Sequence, residues 1–234
     1  MRCAAAGMAT PMHSPRARGY DTWLGYWHHA NDYWSFDQDA CSGKPIRDLW
    51  RQNVTFDGPA ADLVNGPSCT DRNQTPAAGE RCVFEDSLLT SEVLRILREH
   101  TAASSATDAA ESPFFIFWAP HLVHMPLQIP KAYLEQFSAI LNQQRRRMHA
   151  MVKYLDGEVG TVVSALQRSG AWNRTLLVVR VQCCNAAVRC GLDTRPLPPR
   201  HFHQETGTQD EVQVTCADCS RCLAVSLFLV AARG

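Results

Sequence analysis

Phe114-Phe-Ile-Phe-Trp-Ala-Pro-His-Leu-Val-His-Met-Pro-Leu-Gln-Ile-Pro130 decides how the chain is read. The run from Phe114 to Ala119 is apolar and aromatic throughout, the pattern of a central strand covered on both faces. Two histidines, His121 and His124, then fall in the loop at the carboxyl end of that strand. Open α/β sheets gather their chemistry at this end. Pro120, Pro126 and Pro130 stiffen the loop and limit where the imidazoles can point.

Working outward, Pro130 suits the first turn of a helix, and Lys131 to Phe137 reads as a short one. A longer helix is predicted from about Leu141 to Ser169. Met148, Met151, Val152, Leu155, Val159, Val162, Val163 and Leu166 recur at helical spacing, and Gly170 suits its end. Thr175 to Val181 reads as a second buried strand. Strand, crossover and strand predict two parallel neighbours with adjacent carboxyl ends. Upstream, Ser87 to His100 carries a packed helix, and the Ala/Ser/Thr-rich stretch Thr101 to Glu111 reads as a flexible loop.

Four segments then come into register. Gly19-Tyr-Asp-Thr-Trp-Leu-Gly25, Asn31-Asp-Tyr-Trp34, Val123-His-Met-Pro-Leu-Gln-Ile-Pro130 and Ser169-Gly-Ala-Trp-Asn-Arg-Thr175 resemble the sulfatases, in particular the arylsulfatase B type, in order and spacing. The resemblance covers roughly Arg18 to Val179. It implies an alkaline-phosphatase-like α/β fold with a mixed, mostly parallel sheet flanked by helices, truncated here at both ends. It also implies hydrolysis of a sulfate ester, on a sulfated carbohydrate or an aryl sulfate. The family's Val-His-x-Pro histidine corresponds to His124, which the resemblance makes a sulfate contact or a proton donor to the leaving oxygen.

The departures bear equally on function. The family makes a formylglycine from the Cys of Cys-x-Pro-x-Arg, and no cysteine of this chain has that context. It holds calcium through an early Asp pair and a later Asp-Asn pair. No early Asp pair is present, and the family's Lys-Trp-His is missing. Where the family continues Ser-Thr-Asp-Asn-Gly after the second strand, this chain reads Arg180-Val-Gln-Cys-Cys184, so Gln182 and Cys183 replace two oxygen ligands. The complete family enzyme uses calcium, whereas no metal or cofactor is expected on this chain. His124 alone cannot supply sulfate transfer, because nucleophile and metal carry most of the rate enhancement. The expectation is therefore a sulfuric ester hydrolase by family whose catalytic set is incomplete here. The alternative is a non-catalytic sulfatase-like glycan binder or relic. A phosphoesterase of the same superfold would need metal-ligand Asp and His residues that are not apparent.

This reading divides the chain into an ill-defined segment 1–17, a partial catalytic domain 18–179 and a cysteine-rich tail 180–234. With 23 basic and 23 acidic residues the net charge is near zero, so nucleic acid is not an expected partner. No run reaches the length of a membrane span; Leu223 to Ala232 is apolar but short. Met1 to Arg18 lacks the apolar core of a signal peptide. Asn53-Val-Thr55, Asn73-Gln-Thr75 and Asn173-Arg-Thr175 are sequons, with Pro76 counting against the second, so Asn53 and Asn173 are the candidate glycosylation sites. With the family resemblance they favour a lysosomal or secreted origin.

The family often has a disulfide near the loop-rich insert Ser42 to Glu80, so the resemblance implies one pair among Cys41, Cys69 and Cys82, the pairing left open and free surface thiols the alternative reading. Cys216-x-x-Cys219-x-x-Cys222, with His201 and His203 upstream, could be written as a zinc site, but the spacing fits no standard finger, and out-of-family translation of the tail is the preferred reading. The aromatic cluster Tyr20, Trp23, Tyr26, Trp27, Tyr33 and Trp34 reads first as packing, then as a sugar platform. His28 and His29 lie within it without a third ligand. His121 reads as a loop residue bonded to backbone. Arg145-Arg-Arg147 reads as a solvated face, with an anionic glycan as the alternative.

Overall fold

The computed structural model describes residues 11–28, 31–39, 45–106, 113–183 and 223–231. The first third is built from short strands: β1 (Trp23–Gly25), β2 (Asp37–Asp39), β3 (Pro45–Arg47), β4 (Trp50–Gln52) and β5 (Asp57–Pro59). β1, β4 and β5 form one antiparallel sheet, and β2 pairs with β3 in a separate hairpin. Then come α1 (Glu85–Ala106), β6 (Phe114–Trp118), α2 (Lys131–Glu135), α3 (Gln143–Arg168), β7 (Thr175–Cys183) and β8 (Leu223–Ala231).

The helices follow from their sequences. The side chain of Asn142 caps α3 by accepting from the Arg145 amide at 2.9 Å, satisfying a donor that a helix start leaves free. Ala150, Met151, Tyr154, Leu155, Val162 and Leu166 form its buried stripe. Each fully buried large side chain among them contributes about 1.5–3 kcal/mol relative to exposure. Gly170 at φ 74° ends the helix in the left-handed region that costs glycine nothing. α1 runs longer than its apolar stripe predicted. It starts two residues earlier, at Glu85, and continues to Ala106, because the alanines and serines after Thr101 tolerate helix. The loop expected over Thr101 to Glu111 is thus helical as far as Ala106. Residues 107–112 lie outside the described residues.

Two expectations about the main sheet are overturned. Its order is β6-β8-β7, and β8 is antiparallel to both neighbours. β6 and β7 point the same way, as a crossover requires, but they do not pair. The strand between them comes from the apolar run beginning at Leu223, so a mostly parallel sheet with adjacent β6 and β7 is corrected to an antiparallel one. β7 also passes through position 180 without a break, reaching Cys183.

Burial is the second correction. β6 was expected to be covered on both faces, yet its burial alternates. Ile116, Trp118, Leu227 and Leu229 enter a core with Val93, Leu97, Met151, Leu155 and Leu166 from α1 and α3. The opposite face carries Phe115 (49% exposed), Phe117 (44%), Leu176 (63%), Val178 (41%) and Val230 (40%). An antiparallel sheet can leave one face uncovered in this way, and here that face is apolar as well.

Two positions lie at turns. Asn53, between β4 and β5, accepts from the Thr55 and Phe56 amides at 2.9 and 2.8 Å. Asn173 is exposed in the turn before β7. Cys69 and Cys82 form a disulfide, and Cys41 lies outside the described residues. No helix among the described residues is long and apolar enough to cross a membrane.

Candidate functional site

The loop after β6 is held from three sides. Tyr33, fully buried, donates its hydroxyl toward the backbone carbonyls of His121 and His124 at 3.1 and 3.0 Å. Gln128 ties the far end of the loop. Its side-chain oxygen accepts from the Tyr33 amide at 2.9 Å, and its amide nitrogen donates to Asp32 at 2.6 Å. Asp32 in turn accepts from the amides of Trp34 and Ser35. Two of the four sequence motifs, Asn31-Asp-Tyr-Trp34 and the histidine loop, thereby lock each other. A buried backbone carbonyl must find a donor, and Tyr33 supplies one for two carbonyls on either side of Leu122 and Val123.

His121 is the buried member of the loop. Its Nδ1 lies 2.6 Å from a carboxylate oxygen of Glu85, with both side chains almost fully enclosed. Its ring stacks on Tyr33 with centroids 4.0 Å apart and lies 5.5 Å from Tyr26. The loop residue expected to bond backbone is thus also paired with a carboxylate. Beside it, Asp86 accepts from the Leu122 amide at 3.3 Å. Burial pushes Asp86 up to about 7, with the His121 charge opposing and the Glu85 charge reinforcing the rise. Burial pulls the His121 imidazolium down, but the bond and charge of Glu85, aided by Asp86, outweigh it and leave His121 above its ordinary value. Tyr26 and Tyr33 are raised well above the phenol range, first by burial and then by the neighbouring carboxylates. One oxygen each of Glu85 and Asp86 is buried without a hydrogen-bond partner.

His124 occupies the opposite situation. Its side chain is half-buried at the surface, with Nδ1 2.8 Å from the Met125 carbonyl and the ring centroid 5.8 Å from that of His121. That contact makes Nδ1 the protonated nitrogen, which leaves Nε2 to meet a ligand. The arrangement therefore joins a rigidly anchored loop to one accessible imidazole.

The other candidates are distributed differently. Tyr33 and Trp34 are core residues packed on Phe84. Trp23, Trp27 and Trp50 form an edge-to-face group on the β1-β4-β5 side. His28 is paired with Asp48 at 2.8 Å, and Asp48 also accepts from the Trp27 and His28 amides, so this histidine serves to close a turn. His29 and the cysteines from Cys184 to Cys222 lie outside the described residues. Gln182 and Cys183 pair in the ladder with Ala224 and Leu223. Sequence reasoning missed Glu85 and Asp86. The available signal was two adjacent acids directly before an apolar helix, which also reads as an ordinary helix start.

The calcium implied by the resemblance needs several converging oxygen donors. Among the described residues no group of three or more His, Cys, Asp or Glu side chains could hold a metal ion. Asp32 and Asp48 are occupied by backbone amides, and the Glu85–Asp86 pair already neighbours a histidine. The described residues do not supply the donor set that the ion needs.

Comparison with known proteins agrees with this architecture. The Sulfatase family model matches residues 12–179, well over half of the chain. The chain belongs to the sulfatase family. It is 29% identical over 164 residues to Arylsulfatase J from Mus musculus, an alignment covering 70% of this chain and 23% of that protein. The chain thus spans about a quarter of that relative's length. Among solved structures, it resembles the crystal structure of Ps i-CgsB with a TM-score of 0.53 at 18% identity, covering 94% of this chain and 41% of that one. The complex of Ps i-CgsB with k-i-k-neocarrahexaose gives a TM-score of 0.50 at 20% identity, with 74% and 34% covered. These two likenesses bear on fold alone.

Proposed function

We propose that this chain is the histidine-bearing part of a sulfuric ester hydrolase of the arylsulfatase type, acting on sulfated sugars or aryl sulfates. We further propose that it does not turn over sulfate esters by itself. The observation that carries the reading is the accessible His124 ring on a loop whose backbone is fixed by Tyr33, Asp32 and Gln128. In a complete form, His124 contacts the sulfate or protonates the leaving oxygen, and calcium would come from residues other than those described. Glycosylation at Asn53 and Asn173, and a lysosomal or secreted location, accord with their surface turns and with the Cys69–Cys82 disulfide, which suits an oxidising compartment.

The test is His124→Ala in a form that includes an upstream Cys-x-Pro-x-Arg segment. Turnover of an aryl sulfate should fall roughly tenfold to ten-thousandfold, the range for one acid–base group. Unchanged turnover would remove His124 from its role. For the present chain, purified protein with added calcium should release no sulfate above buffer. Release that disappears in His124→Ala would overturn the claim of inactivity.

A further inference from the structure

Beyond the His121 cluster, a cleft of about 370 Å³ opens between the insert loop, the segment after His124 and the start of α3. Arg72, Lys131 and Arg147 line it, together with Asp71, Gln74 and Ile129. Its walls are tied to one another. Gln74 accepts from the Lys131 amide at 3.0 Å and donates to the Asp71 carbonyl at 3.2 Å. Arg147 binds the Asp71 carboxylate at 3.1 Å and the Leu127 carbonyl at 2.6 Å. A cleft braced in this way exists before any ligand arrives, so binding does not have to order it.

Its charge is lopsided. Three cations face one carboxylate, and that carboxylate is already engaged by Arg147. Lys131 reaches only Glu135, at 3.6 Å between side chains 80% and 64% exposed. Such a surface pair is worth little, so Lys131 is available to a ligand. Arg72 is exposed. Guanidinium and ammonium groups together suit a compact oxyanion, and the planar Arg fork can hold two of its oxygens. Leu134, half-buried in the same lining, adds an apolar wall, as a sugar face requires. Of the arginine run Arg145 to Arg147, Arg146 is consumed by the Ser138 and Ile140 carbonyls, whereas Arg147 builds this cleft.

Position gives the cleft its meaning. Ile129 is five residues beyond His124, a chain length of at most about 17 Å. That span lies within reach of a short oligosaccharide. We propose that the cleft is a separate subsite for a sulfate-bearing sugar unit, in a glycan whose neighbouring units extend toward His124. This rests on the reading of His124 as facing a sulfated sugar.

The experiment is calorimetric titration of the full chain with a sulfated tetrasaccharide and with the same tetrasaccharide after desulfation. The sulfated sugar should bind, more weakly as salt is raised, and the desulfated one at least tenfold more weakly. Arg72→Ala combined with Lys131→Ala should lower affinity at least tenfold. Arg98→Ala with Arg168→Ala removes the same charge from exposed positions that do not line the cleft, and should change affinity less than twofold. The proposal is overturned by no binding, by equal binding of the desulfated sugar, by equal loss in both double variants, or by unchanged affinity in the first. Thermal melts of both variants establish that each is folded. These outcomes read binding, whereas the role of His124 is read by turnover, so either can fail alone.

Discussion

Glu85, Asp86 and His121 place three ionisable groups in one interior, and their protonation sets how well the histidine loop is held. With Asp86 protonated, His121 charged and Glu85 ionised, the cluster is neutral. When Asp86 ionises, a net negative charge is left in a low-dielectric site. Asp86 has a folded value of about 7, raised above its unfolded 3.8. A raised value means that the folded state binds the extra proton, so this stability is fully present below about 4 and lost as pH rises through about 7. His121, also raised, acts in the same sense, and so does Glu158 on α3, lifted by burial. Urea unfolding should therefore show the chain on the order of 2–3 kcal/mol less stable at pH 8 than at pH 5 from Asp86. Asp86→Asn should remove much of that slope; a slope equal to that of the parent would show that Asp86 is not its source. Truncating Glu85 to Ala strands the buried imidazole and should cost about 3–5 kcal/mol at either pH.

At the level of elements, what could be read from sequence depended on how local the determining contacts are. α3 lies within two residues of its predicted ends, because an amphipathic stripe and a terminal glycine are local signals. β6 and β7 were legible as strands. β8 was not: Leu223–Ala231 pairs with strands 40 and more positions away, and no local pattern names its partner. The open face of β6 was hidden for a related reason, since an all-apolar run has no alternation to reveal which side is covered. The partnership of Glu85 with His121 crosses 36 residues and was equally invisible. The disulfide lies between these cases: the set of three cysteines was legible, the Cys69–Cys82 pairing was not. That bond closes a separation of 13 residues and fastens the insert that forms one wall of the sugar cleft. Replacing both cysteines with Ala should cost about 3 kcal/mol, the loop-closure value for this length, seen as a lower urea midpoint. An unchanged midpoint would mean the bond is dispensable to the fold.

Across the whole molecule, the same sheet is finished on one side and open on the other. Phe115, Val230 and Leu176 form one cross-strand row on the open face, and Phe117, Phe228 and Val178 form the next. Phe117 and Phe228 are in ring contact at 4.9 Å across the two strands. Rows of this kind exposed to water drive association, and among the described residues β6 and β7 are the edge strands of the sheet. The isolated chain should therefore self-associate as its concentration rises. Sedimentation velocity on Phe117→Lys with Val178→Lys should show a shift toward monomer. These positions face away from α1 and α3, so the urea midpoint should change little, within the range of ordinary surface substitutions. If the lysines unfold the chain instead, the face is part of the folded core rather than an open surface. If they leave association unchanged, the attraction comes from the strand edges, and a proline in the outer edge of β7 becomes the substitution that should abolish it.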